Sequence, residues 1–175
     1  MDRTRQLLLL RHAKSSWDDV SLADFDRPLS PRGLKAAPRM GAEIALRGWL
    51  PDRALVSPAA RTRQTFALAS GQWPHPLPPA DEAHSLYEAS AETILAQAQE
   101  TPGSVGCLLI VGHNPGLEDF ARKLAGPDSS NKALRHMTEK FPTCGLAHFE
   151  IEGDWNALAF GAARLMHFLT PKTLG

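Results

Sequence analysis

This chain has little cysteine, two residues in 175, and neither stands in a CxxC pair or at zinc-ligand spacing. Nothing in their placement suggests a disulfide framework, and Cys107, inside a long apolar run, reads as a small buried hydrophobe. The chain also lacks an excess of either charge, since 19 Lys and Arg balance 19 Asp and Glu. Without surplus positive charge a general nucleic-acid binder is not expected, although a local basic pocket remains open. No apolar run approaches the roughly 20 residues that span a bilayer. The opening MDRTRQLLLLRH has an apolar stretch shorter than the roughly 7–15 residues of a secretory signal core, and no small-residue cleavage site follows it. The expectation is a cytoplasmic protein with neither membrane nor nucleic acid as partner. The four tryptophans, Trp17, Trp49, Trp73 and Trp155, are scattered, which suits packing better than a nucleic-acid stacking platform. With no internal repeat and no linker, residues 1–175 read as one domain with a sizeable core.

What is present is an alternation of strand-like and helix-like segments. Gln6 to Arg11 is short and continuously apolar up to its last residue, as a strand buried on both faces would be. Ser30 then caps a helix with Pro31 at its first position, and Pro38 inside the pattern should kink or break it. Ala54 to Ser57 is a second strand. Ser57-Pro58 repeats the cap-and-proline signal for a helix to about Ser70. GQWPHPLPP is loop. Ser90 caps a third helix to about Glu100, and Gly106 to Gly112 is the clearest buried strand. Asn114-Pro115 starts a helix with Leu117, Phe120, Ala121 and Leu124 on one side. Residues 127–143 are polar, with a helical turn or two. Leu146 to Ile151 and Trp155 to Phe160 read as a hairpin across Glu152-Gly153-Asp154, with Arg164 to Leu169 a possible further strand. Strands alternating with helices predict a mixed, mainly parallel sheet with helices on both faces.

Ligands of open α/β sheets sit beyond the carboxyl ends of the strands. Three predicted strands end there in Arg11-His12, in Ser57-Pro-Ala-Ala-Arg61 and in His113-Asn-Pro-Gly116. Two histidines and two arginines at one sheet edge are seldom accidental. Arg61 lies in the first turn of its helix, where the dipole disfavours a cation. Such a violation marks a functional position, and a helix N-terminus with an arginine favours a bound anion. Arginine's fork matches phosphate oxygens in pairs. A neutral histidine can present a lone pair to phosphorus, and nearby arginines keep it neutral. The remaining histidines, His75, His84, His136, His148 and His167, have no metal-ligand spacing and read as structural or surface residues.

The motifs LLLLRHAKS, SPAARTRQT, SLYEAS and GHNPG, in that order, resemble those of the histidine phosphatase superfamily, the phosphoglycerate-mutase-like enzymes. HFLTPKTL resembles the end of its short bacterial members, the SixA-type phosphohistidine phosphatase branch. The resemblance implies a three-layer α/β/α sandwich around a central mixed, mainly parallel sheet, with no metal and no cofactor. It implies His12 as nucleophile, Arg11 and Arg61 as phosphate ligands, and His113 as stabiliser of the transferred phosphoryl group. Glu88 takes the place of the leaving-group acid, with Asp18, Asp24 or Asp26 as alternatives, and Ser15 that of a small phosphate-pocket residue. Ala13 departs from the glycine common at its position. Only a short stretch separates Arg61 from Glu88, so an open pocket is expected. Such a pocket suits phosphohistidine on a protein partner. A small phosphate ester, hydrolysed or transferred by the same residues, is the alternative. A non-catalytic phosphate-binding module and a metal hydrolase are rivals of other classes.

Overall fold

Side chains alternate between the two faces of a strand, so a run of leucines is stable only where both faces are covered. Leu7 to Leu10 meet that condition and are wholly buried. In the computed structural model, which describes residues 4–174, they form the middle of β1 (Thr4–Arg11). Leu7 and Leu9 enter one apolar layer and Leu8 and Leu10 the other.

β1 lies inside a six-stranded sheet of order β3-β2-β4-β1-β5-β6. The other strands are β2 (Arg53–Val56), β3 (Ala80–Glu82), β4 (Cys107–Gly112), β5 (Leu146–Glu152) and β6 (Arg164–Leu169). The first four positions in that order are parallel, and β5 and β6 add antiparallel strands at one side. On one face lie α1 (Pro31–Leu46) and α2 (Ala60–Ser70). On the other lie α3 (Ala91–Gln99), α4 (Gly116–Leu124) and α5 (Asn131–Glu139). This is the three-layer α/β/α arrangement with a mixed, mainly parallel sheet.

Several local expectations are corrected. α1 runs through Pro38 unbroken; the residue whose carbonyl loses its partner there, Leu34, is on the exposed side of the helix. Trp155 to Phe160 is not a strand. Trp155 is wholly buried and its indole N–H donates to the Val105 carbonyl at 2.8 Å. That anchor turns the chain into a short 3-10 segment, Trp155–Ala157, so the partner of β5 is Arg164–Leu169. α5 spans nine residues where only a turn or two was expected, capped by Ser130 on the Ala133 N–H. β3 is a three-residue edge strand with no buried side chain, so it left no apolar signal.

Candidate active site

Register brings the two histidines together. β1 and β4 are neighbours with Arg11 level with Gly112, so each strand next delivers a histidine. The His12 N–H donates to the Gly112 carbonyl at 3.1 Å, and the two imidazole centroids are 5.4 Å apart. β2 flanks β4 on its other side, and Ser57 N–H donates to the Val111 carbonyl at 3.0 Å. Ser57 does not cap α2, whose N-cap is Ala59 without a side-chain bond. Its Oγ lies instead 2.7 Å from His113 Nε2. Asn114 likewise does not cap α4, where Pro115 holds that position. The Asn114 amide donates to Glu118 at 3.2 Å and to the Phe141 carbonyl at 3.0 Å. Ser57 was thus misread by its sequence pattern; the serine-proline signal for a cap was obeyed by the chain but not by the hydroxyl.

His12 Nδ1 is 2.7 Å from the Ala13 carbonyl. A carbonyl only accepts, so Nδ1 carries the proton and Nε2 keeps the lone pair. Burial pushes the His12 pKa down to about 3, and His113, Arg61 and Arg11 add to the effect. Burial, then Arg61, pushes His113 down to about 4, with Arg11 contributing and Asp24 opposing. Both rings are therefore neutral near pH 7 and share one field with both arginines. Ala13 itself is fixed by an N–H bond to Thr65 Oγ1 at 2.9 Å, which ties the His12 loop to α2. On the other side the Cys144 N–H donates to the Arg11 and His12 carbonyls at 3.1 and 2.9 Å. Cys144 adopts φ 59° to do so. It is wholly buried, and burial pushes its thiol up to about 12.

Arg61 is buried in the first turn of α2 and faces Asp24, on the short 3-10 segment Asp24–Asp26. It donates to the Asp24 carbonyl at 2.8 Å and to Oδ2 at 3.0 Å. Arg27 grips Oδ1 at 2.9 Å, and the Tyr87 hydroxyl donates to Oδ2 at 2.6 Å. The Tyr87 bond, with Arg27 and Arg61, holds the Asp24 carboxyl well below the usual carboxylate range, while Asp24 pushes the Tyr87 hydroxyl up. Arg27 also donates to Ser15 Oγ at 2.8 Å and lies over the Trp17 ring. The polar segment between β1 and α1 is thus organised by one arginine to which its sequence drew no attention.

Arg11 faces the other way. Its Nη1 donates to the Phe141 carbonyl at 3.0 Å. Burial lowers its pKa, which the Glu118 charge partly opposes. Three buried nitrogens in this region, Arg11 Nε, Arg61 Nε and His113 Nδ1, have no protein partner. The two guanidinium nitrogens are N–H donors suited to the oxygens of an oxyanion, and His113 Nδ1 joins them in the tautomer in which Ser57 Oγ donates to Nε2.

Glu88 is exposed, at φ 56°, in the loop whose Tyr87 ring lies 5.5 Å from that of His113. Gly116 fixes that loop: a Cβ there would meet the Ala89 carbonyl oxygen at 1.9 Å. The site thus gathers His12, His113, Arg11 and Arg61, while Ser15 is bonded to Arg27 and Glu88 is exposed on the loop that follows Tyr87. Among the described residues no three or more His, Cys, Asp or Glu side chains are grouped to hold a metal ion, and no helix is long and apolar enough to cross a membrane.

Residues 7–93 match the model of the histidine phosphatase superfamily, branch 1. The chain is 37% identical over 166 residues to an uncharacterized protein, Rv1276c, of Mycobacterium tuberculosis strain H37Rv, covering 93% of this chain and 100% of that one. Two solved structures assigned as the phosphohistidine phosphatase SixA are each 30% identical to it. The one from Nakamurella multipartitia superposes with a TM-score of 0.81 over 96% of both chains. The one from Agrobacterium tumefaciens gives 0.80 over 95% of this chain and 98% of that one. With fold, motifs and relatives in agreement, this chain belongs to the histidine phosphatase superfamily. Within it, the chain is a phosphatase of the SixA-type branch.

Proposed function

We propose that this phosphatase removes the phosphoryl group from phosphohistidine carried on a protein, by way of a phosphoryl group held covalently on His12. One observation carries the reading. His12 is neutral, its proton is parked on Nδ1 by the Ala13 carbonyl, and its other nitrogen is free beside two arginines and a second histidine. The SixA assignment of the two structural relatives supports the substrate.

His12 Nε2 attacks phosphorus while the bond from phosphorus to the substrate's imidazole nitrogen breaks. Arg11, Arg61 and His113 hold the three phosphoryl oxygens as charge redistributes. Arg61 offers its unpartnered Nε, and its Nη groups join in as Asp24 yields its place on them. The Ser15 hydroxyl accepts from Arg27 and still has its own proton for a phosphoryl oxygen. Glu88, on the loop beside His113, gives a proton to the departing imidazole. It then takes one from water, whose oxygen attacks the phosphoryl group on His12. Phosphate leaves and the His12 ring returns to its starting state. Asp24 is a poor proton donor, because its bonds to Tyr87, Arg27 and Arg61 keep it ionised.

The test uses a phosphohistidine peptide labelled on phosphorus, quenched with alkali during turnover. The expected result is an alkali-stable, acid-labile label on the protein. His12→Ala should remove it and cut turnover by about 10³-fold or more. Undiminished turnover in that variant, or strong preference for a sugar phosphate over the peptide, overturns the reading.

A further inference from the structure

The chain is neutral overall, but its positive charge is not evenly placed. An open cleft of about 1110 Å³ begins at Arg11 and is lined by Lys14, Arg32, Lys35, Arg39, Lys140 and Lys172, with Glu139 the only carboxylate among the described residues. Arg32, Lys35 and Arg39 recur at helical spacing along α1, on the side turned away from its buried residues Ala37, Met40 and Ile44. The other three come from the loop after β1, the end of α5 and the segment Pro171–Leu174. Among the described residues none of these six side chains is in an ion pair or donates a hydrogen bond. Most of the remaining Lys and Arg side chains are paired with carboxylates. Uncompensated like charges repel one another, and gathering them in one place costs stability. A bound polyanion offsets that cost.

We propose that this cleft docks an acidic segment of the phosphorylated protein, steering its phosphohistidine to Arg11 and His12. The inference rests on the function proposed above and names the kind of partner it requires. The cleft is larger than the roughly 300–1,000 Å³ of typical small-molecule sites. Its cations are exposed, unanchored tips on several separate elements. Such tips adapt to a flexible acidic chain and speed encounter through their field. They do not form the fixed donor set that orients a small ligand.

Two synthetic phosphohistidine peptides test it, one flanked by six glutamates and one by six glutamines, both phosphorylated with phosphoramidate. At low salt kcat/KM is expected to be at least about tenfold higher for the glutamate peptide, and the ratio should fall towards one at high salt. In Arg32→Glu/Lys35→Glu/Arg39→Glu, and more mildly in the triple Gln variant, the ratio should fall towards one or below it. Turnover of free phosphohistidine should stay unchanged and certify the fold. Equal kcat/KM for both peptides in the unaltered protein overturns the docking proposal and leaves the proposed function standing. Hydrolysis of phosphate esters but of neither peptide overturns both. If the peptides are cleaved equally while inorganic tripolyphosphate raises Tm of the unaltered protein and not of the variants, the cleft takes a small polyanion and the proposal fails.

Discussion

The two arginines that flank the histidine pair live in opposite electrostatic settings. Arg61 is sealed: Asp24 accepts from it through both carbonyl and carboxylate, and Arg27 and Tyr87 close the same network. Arg11 is held by one peptide carbonyl and opens onto a cleft of unpaired cations. One flank is balanced and shaped, and the other is unbalanced and wide. The difference teaches that a neutral chain can still present strong local charge, because carboxylates are spent on one side of the site and withheld from the other.

The sharpest way to break this comparison is to delete each arginine in turn. Arg61→Ala should lower kcat/KM by roughly 10²–10³-fold, the scale of losing one preorganised donor to a developing oxyanion. It should also free Asp24, so that the acidity of its carboxyl, followed by NMR, returns towards the ordinary range. Arg11→Ala should cost a similar factor in turnover without moving Asp24. Equal response of Asp24 to both deletions would mean that the two flanks are not separate.

A smaller effect is expected from Asp24→Asn. On the proposed role of Arg61 this variant removes an anion that would compete with phosphate, so inorganic phosphate should inhibit a few-fold more tightly. Arg27 and Arg61 then lose their charged partner. Because Asp24 is half exposed, solvent screening limits the loss to roughly 1 kcal/mol, or about 2–4 °C in Tm for a chain of this size. Weaker phosphate inhibition in this variant would show Asp24 to be part of the phosphate cradle instead of its competitor.

The mildest test is protonation of the histidines between the flanks. NMR titration of the ligand-free protein should find His12 and His113 neutral from pH 8 down to about 5, because their pKa values are pushed to about 3 and about 4. His148 is pushed down to about 4 by burial and by His167. In the unfolded chain all three protonate near pH 6.5, so the unfolded state binds more protons below that point. Tm should therefore decline as pH falls from about 6.5 towards 4. An inflection near 6.5 in either site histidine would show that the pair is more open to water than its burial implies.

The part of this arrangement that could be read from residues alone is the part built on buried strands. Leu7 to Leu10 and the CLLIVG of β4 are continuous apolar runs, and each leads to a histidine of the candidate site. Sheet order and register, which set His12 beside His113, are tertiary facts with no local signature. The sealed flank was harder still. Asp24, Arg27 and Tyr87 come from polar, irregular segments, and long-range bonds alone give those segments their shape. Trp155 to Phe160 misled because an anchored indole and a strand residue share the same apolar character. α5 is longer than its pattern suggests because Ala133, Leu134 and Met137 are its few apolar residues among polar ones.

Cys144 carries a consequence of a different kind. A sulfhydryl directly beneath a reactive centre often makes an enzyme answerable to oxidants and alkylating reagents. Here the side chain is shut inside, its sulfur resists becoming a thiolate, and its peptide N–H is the part in use, braced against Arg11 and His12. Cys107 is equally reluctant, pushed to about 12 within β4. Iodoacetamide or peroxide should therefore leave both thiols unmodified for as long as the chain stays folded.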